Sequence, residues 1–237
     1  MPPTARALAW FERLGREVCV KPDGGTQGQA LTTHVGDRAM FDAAFARAAA
    51  GFARVMVEQM LEGEVIRVLC LDGRAIATRL DRAASVLGDG AGTVAALVAA
   101  KNAMRRRRAL PGHVPLELDP VALFYLARQG LDAAAVPARQ RRVWLRAISH
   151  PNQGGDVISD PPGLHAGHVA LVEKACLALP GLRMAGYDLL VADRRRPGKA
   201  WVLEVNSWPG ITFFHHPWHG PARDVAGSIL DWLEQGA

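Results

Sequence analysis

Three stretches of the chain place chemically useful residue types at spacings a fold can use. The first is Val20-Lys21-Pro22-Asp23-Gly24-Gly25-Thr26-Gln27-Gly28. A lysine at a strand end projects a fixed ammonium, and glycines beside it let backbone N–H groups approach an oxyanion closely. Together they make a phosphate cradle. No G-K-[ST] follows, so this is not a Walker loop, and alone the stretch also reads as an ordinary β-turn with a solvated lysine. The second stretch pairs Tyr187-Asp188-Leu189-Leu190-Val191 with Val202-Leu203-Glu204-Val205-Asn206. Side chains alternate faces along a strand, so Glu204 and Asn206 share one face and Val205 takes the other. Asp188, on the paired strand, faces them across the ladder. Two carboxylates and an amide oxygen are hard ligands of the kind Mg²⁺ accepts while phosphate oxygens fill its other positions. The polar face of an edge hairpin is an equally good reading of these residues taken by themselves. The third stretch is Val55-Met56-Val57-Glu58-Gln59-Met60-Leu61-Glu62-Gly63-Glu64, a strand entering a turn. Its backbone can offer N–H and C=O to an adenine edge, with a carboxylate after the turn for ribose hydroxyls, although a plain strand and loop is the simpler account.

These stretches need a scaffold, and the chain is long enough to supply one. Its 237 residues are 49% hydrophobic and 22% charged, which excludes a disordered or fibrous polymer. At that length a single large domain or two lobes can bury a core without disulfide or metal staples. The formal charge of +5 suits a polyanionic ligand such as a nucleotide as well as it suits nucleic acid. Cys19, Cys70 and Cys176 lie far apart in apolar runs and read as small buried hydrophobes, so a reducing cytoplasm is expected. The start lacks the apolar stretch of a signal peptide, and no run of eighteen apolar residues predicts a membrane span.

Hydrophobic periodicity predicts helices over 4–14, 38–53, 93–104, 120–129, 166–179 and 221–234. Strands are predicted over 17–21, 54–60, 64–80 (a hairpin turning at Asp72-Gly73), 143–148, 187–193 and 200–206. Helices alternating with antiparallel hairpins favour an α+β fold over a parallel doubly wound one. Arg105 to Arg108 and Arg194 to Arg196 read as a solvated helix end and a hairpin tip. Without interleaved aromatics or a nucleic-acid motif, they point away from nucleic acid. The first run also lies where an acidic or peptide substrate would be steered. The eight histidines form no zinc pattern, and His215, His216 and His219 read as local packing after Ser207-Trp208-Pro209-Gly210.

The order of these pieces resembles the ATP-grasp superfamily, and within it the ATP-grasp domain of cyanophycin synthetase and its peptide-ligase relatives. The matching pieces run from VKPDGGTQG (20 to 28) and VEQMLEGEVIRVL (57 to 69) through VLGDGAGTVAALVAAKN (86 to 102) and PGH (111 to 113). They continue through QG...VP (129 to 137), VWLRAISHPNQGGDV (143 to 157), GYDLL (186 to 190) and LEVNSWPG (203 to 210), with His216-Pro217 beyond. The resemblance implies two α+β lobes, residues 1–62 and 63–237, with antiparallel sheets enclosing ATP and Mg²⁺. It implies an ADP-forming ligase that phosphorylates a carboxylate and lets an amine attack the acyl phosphate, making an amide on amino-acid or peptide substrates. By the same resemblance Lys21 holds the α and β phosphates, and the loop Gly24, Gly25, Thr26, Gln27 and Gly28 closes over the β and γ groups. Glu58 with the backbone of Gln59, Met60 and Leu61 binds adenine, and Asp188, Glu204 and Asn206 hold Mg²⁺. Arg67 and Arg146 align with family arginines; Arg146, near Asn152, Gly154 and Gly155, is placed to meet the acyl phosphate or the acceptor carboxylate. Phosphoryl transfer needs positioning and charge neutralisation more than covalent chemistry, which suits a lysine, a metal and arginines. Structural salt bridges are the competing role for both arginines.

Several positions depart from the family pattern. Val65 stands where relatives place an acid after the adenine turn, and Glu64, one residue earlier, is the substitute. Ala30 stands at the usual second glycine of the phosphate loop, and Ala96 at the helix N3 acid of a capping box after Thr93. By the same resemblance the sequence is expected to start at the first ATP-binding lobe, without the substrate domain that precedes it in relatives. A partner chain supplying that surface and a pared-down protein that binds ATP and Mg²⁺ without ligation are therefore both open, as is a homo-oligomer.

Overall fold

The computed structural model describes residues 2–24 and 29–236, so Gly25, Thr26, Gln27 and Gly28 of the expected phosphate loop lie outside the described residues. The chain falls into two compact units, Met1–Leu61 and Glu62–Ala237. In the first, α1 (Ala5–Leu14) starts where the Thr4 hydroxyl accepts the Ala7 N–H at 3.2 Å and ends at Gly15, in the left-handed region at φ 57°. There follow β1 (Val18–Pro22), β2 (Thr32–Val35), α2 (Arg38–Ala49) and β3 (Val55–Gln59). The strands form an antiparallel sheet ordered β2-β1-β3. Alternation along β1 buries Val18 and Val20 against Phe11, Val35, Phe41 and Phe45, with Phe11 and Phe41 stacked at 4.5 Å. Cys19 and Lys21 therefore stand on the opposite face.

The second unit contains β4 (Glu64–Leu71), β5 (Arg74–Arg82), β6 (Ser85–Leu87), α3 (Val94–Arg108), α4 (Pro120–Arg128), β7 (Arg142–Trp144) and β8 (Asp156–Ser159). It continues through α5 (Ala166–Cys176), β9 (Met184–Val191), β10 (Ala200–Asn206), α6 (Thr212–His215) and α7 (Val225–Glu234). Its main sheet, ordered β10-β9-β4-β5-β8, is antiparallel throughout, so the expected α+β class with antiparallel sheets holds. One face of the sheet buries Ile66, Val68, Leu80, Tyr187 and Leu189 beneath Val172 and Cys176 of α5. At one end of the other face Leu69 and Ala77 meet Phe214 and Val225, and the middle of that face carries Arg67, Arg79, Asp81 and Asp188. A separate core joins α3, α4, β6 and β7 through Val94, Val98, Leu126 and Val143.

Of the two arginine runs, Arg106 to Arg108 and Arg195 and Arg196 are exposed as expected, and the structure corrects the reading at Arg105 and Arg194. Helix α3 extends to Arg108, so Arg105 falls on its inner side rather than at a solvated end. Arg105 is 4% exposed, donates to the carbonyls of Val114, Gly154 and Gly155, and pairs with Asp156 at 2.9 Å. Lys101 reaches the other Asp156 oxygen at 2.6 Å, so one buried carboxylate serves two cations. Arg108 is exposed but pinned, with its guanidinium 4.4 Å from the Trp218 ring centre and 2.8 Å from the Trp218 carbonyl. Arg194 is no hairpin tip in solvent either; it grips Glu64. The histidines do pack locally: His113 meets the His216 carbonyl and His215 accepts the Ala226 N–H.

Candidate active site

In the second unit the site is a row built by strand register. Glu204 lies directly opposite Asp188 across β10 and β9, Asp188 opposite Arg67 across β9 and β4, and Arg67 opposite Arg79 across β4 and β5. Residues directly opposite in an antiparallel ladder project from the same face. Asn206, two residues beyond Glu204, joins that face, and Val205 packs toward the α5 side. A bulge between Val202 and Glu204 sets this phase, because in an unbulged register Glu204 would fall opposite Tyr187 on the apolar face. Gly186, opposite Asn206, keeps the row open. A Cβ there would come within 2.9 Å of Pro209, which folds back over the strand from the Ser207-Trp208-Pro209-Gly210 turn.

Arg67 and Asp188 make a bidentate pair, Nε to Oδ1 and Nη2 to Oδ2 both at 2.5 Å, with both side chains mostly buried. Burial works against the Arg67 charge, but Asp188, with Asp81 and Glu204 farther off, outweighs it and holds the guanidinium above its ordinary value. Behind this pair Arg79 and Asp81 form a second one, 2% and 5% exposed, joined by Nη2 to Oδ2 at 3.0 Å. Burial lowers Arg79 and raises Asp81, and each offsets part of the other's shift. The Arg79 guanidinium also lies 5.3 and 5.1 Å from the ring centres of Phe213 and Phe214.

The donor set fits a hard cation. Each Asp188 oxygen keeps a lone pair after bonding Arg67, Glu204 is exposed, and among the described residues the Asn206 amide makes no hydrogen bond. No group of three or more His, Cys, Asp or Glu side chains forms a metal cage among the described residues. Two carboxylates and an amide would thus leave several positions to phosphate oxygens.

In the first unit Lys21 and Glu58 share the face of the sheet away from the core, and their side chains pair at 2.6 Å while each stays more than a third exposed. Cys19 stands between them, directly opposite Glu58. Burial pushes its thiol up to about 11, with Lys21 pulling the other way. Of the backbone groups expected to read adenine, the Met60 N–H is already bonded to the Glu17 carbonyl at 3.1 Å. Gly24 holds φ 104° at the entrance to the phosphate loop, and Ala30 holds φ 52°, a conformation natural to the glycine usual there.

Two expected residues have other partners. Arg146 donates to Asp119 at 2.8 Å and to the Leu145 carbonyl at 2.9 Å, with only 14% of its side chain exposed. Glu64 accepts Arg194 Nη1 on both of its carboxylate oxygens, each at 2.6 Å. Sequence reasoning missed Arg79, Asp81 and His150. His150 opens a short turn by accepting the Asn152 N–H on Nδ1 at 3.2 Å, and burial lowers its pKa while Asp81, Arg67, Arg79 and Asp188 all act on it. The alternation of Arg79 and Asp81 within a strand was the available signal for the first two; His150 had none.

No protein-family model matches the chain. It is 30% identical over 226 residues to cyanophycin synthetase from Nostoc sp., covering 92% of this chain and 25% of that protein. It is 32% identical over 230 residues to the glutathione biosynthesis bifunctional protein GshAB of Mannheimia succiniciproducens, covering 92% and 30%. The crystal structure of a bifunctional glutathione synthetase from Pasteurella multocida superposes with TM-score 0.65 at 28% identity, over 100% of this chain and 34% of that one. D-alanine–D-alanine ligase from Bacillus anthracis shares the fold at TM-score 0.53 and 17% identity, over 96% of this chain and 56% of that one. The chain thus spans between a quarter and a third of the length of the curated relatives it matches.

Proposed function

Because the chain belongs to the ATP-grasp superfamily, we propose that it binds Mg·ATP and serves as the ATP-using region of a carboxylate–amine ligase acting on amino-acid or peptide substrates through an acyl phosphate. The single observation that supports this most is the in-register row of Glu204, Asp188 and Arg67 with Asn206 beside it. Asp188, Glu204 and Asn206 would hold Mg²⁺, which when bound supplies charge neutralisation on the triphosphate. Arg67 stays a donor because Asp188 fixes its plane, leaving its remaining N–H groups for a phosphoryl oxygen. Lys21 exchanges Glu58 for the α and β phosphates, and the loop Gly24 to Gly28 covers the β and γ groups. Glu58, released, turns to the adenine with the backbone of Gln59 to Leu61. Residues 1–62 and 63–237 are the two ATP-grasp lobes in this reading. The role of Arg146 at the acyl phosphate or acceptor requires it to leave Asp119, and that of Glu64 at the ribose requires it to leave Arg194.

Those existing pairs favour a second reading, in which the chain holds Mg·ATP without ligation unless further protein surface is supplied. A partner chain, or a further domain of the kind its longer relatives have room for, is the source we propose, with a reducing cytoplasm as the setting of the free thiols. ADP and phosphate release measured across a panel of amino acids and short peptides tests the ligase reading. Release that appears only with a particular acid and amine together supports it. Intact Mg·ATP binding with no release across the panel contradicts it for the isolated chain.

A further inference from the structure

We infer that the free edge of β3, beneath α1, is a docking groove for an acidic peptide segment in extended conformation. The groove belongs to the first unit alone and does not involve the nucleotide face. It is a cleft of about 630 Å³ between α1 and β3, lined among others by Arg6, Trp10, Arg13, Val55 and Val57. Strand β3 is an edge strand, bonded to β1 on one side only. Asp23 donates to the Arg54 carbonyl and Met60 to that of Glu17, so the even-numbered residues of β3 spend their backbone groups on β1. Val55 and Val57 therefore aim their N–H and C=O outward, along the cleft, where another strand can pair with them.

The charge around this edge selects the occupant. Arg6 and Arg13 are exposed and make no hydrogen bond or ion pair among the described residues, whereas most other arginines of the chain have a partner. Among the described residues no carboxylate lines the cleft. The two arginines lie roughly 10 Å apart along the helix, and their long side chains span acids two to four residues apart on a strand. Trp10 and the two valines give the alternate side chains of such a strand an apolar floor. A second copy of this chain pairing edge to edge would bring four arginines together, and an RNA has no backbone that can extend a β-ladder.

The test uses the whole chain and a labelled synthetic peptide of alternating aspartate and valine, followed by fluorescence anisotropy. Its counterpart with lysine for aspartate and an oligouridylate serve as competing probes. The expected result is saturable binding of the acidic peptide that weakens with salt and exceeds that of the lysine peptide. The double variant Arg6→Glu/Arg13→Gln should bind it about tenfold more weakly or worse, having lost two charge-assisted contacts. That variant places an acid in the first turn of α1 and no acid in the last, so the helix is retained. Val57→Pro, which deletes an outward N–H and leaves the bonds to β1, should also weaken binding. Absence of binding, equal affinity of the double variant, equal binding of the lysine peptide, or competition by the oligouridylate as strong as by the acidic peptide would each overturn the inference.

Discussion

Arg105 and Arg106 are neighbours in one run of arginines, yet they live in different media. Arg105 is inside, shared between three carbonyls and Asp156, and Arg106 is in water. Removing one partner of a buried ion pair strands the other, at a cost of about 3 to 5 kcal/mol, while an exposed substitution stays within about 0.5 kcal/mol. Arg105→Gln should therefore lower the unfolding free energy by about 3 kcal/mol or more in urea, and Arg106→Gln should leave it unchanged; equal effects would contradict the burial. The identity of such partners is what sequence hid. Arg146 was legible as an arginine in a family motif, but Asp119 stands 27 residues away, and Arg194 stands 130 residues from Glu64. Spacing along a strand does reveal which face a residue takes. The common face of Glu204 and Asn206 was read that way, and only the bulge at Val202 to Glu204 was not.

At the scale of the element, the β4–β5 hairpin shows what local sequence can fix. Asp72 and Gly73 take φ 45° and 76°, both left-handed, as the Asp-Gly pair predicts for a two-residue turn. A Cβ on Gly73 meets nothing nearer than 3.9 Å, so Gly73→Ala should cost only the backbone term, about 1 to 2 kcal/mol, read from thermal melting. The same turn anchors α7. Asp72 accepts both contacts of Arg183 at 2.7 Å and the Trp232 indole N–H at 2.5 Å, which brings its carboxyl down to about 2. A carboxyl lowered from 3.8 stabilises the fold above that value and loses its contribution as the pH falls through about 2. The near-UV CD of Trp232, taken by difference with Trp232→Phe, should hold at about pH 4 and fade with a midpoint near pH 2. In Asp72→Asn that titration should vanish. Short elements were less legible: β2, β6, β8 and α6 have three or four residues each and owe their existence to partners, as β8 does to β5. Helix α5 ends three residues before the predicted 179, because its last turn tightens into i to i+3 bonds ahead of Pro180.

At the scale of the molecule, the first unit has its own core, centred on Phe41, and the second has three clusters of its own. Phe41 is wholly buried, so Phe41→Ala should cost about 3 to 5 kcal/mol. That loss should appear as faster amide exchange in β1, β3 and α2, with the β4–β9 ladder unchanged; equal acceleration in both units would contradict separate cores. The order of the motifs along the chain made the α+β class and the antiparallel sheets readable, since each motif fixes its own strand or turn. How Lys21 and the row at Asp188 act together is a property of the whole chain with its nucleotide, and calorimetry measures it most directly. Titrated with ATP in Mg²⁺, the wild-type chain should bind, and Lys21→Ala and Glu204→Ala should each bind about tenfold more weakly or worse, since each removes a charge-assisted contact or a metal ligand. Unchanged affinity in both variants, with their folds intact, would contradict the account.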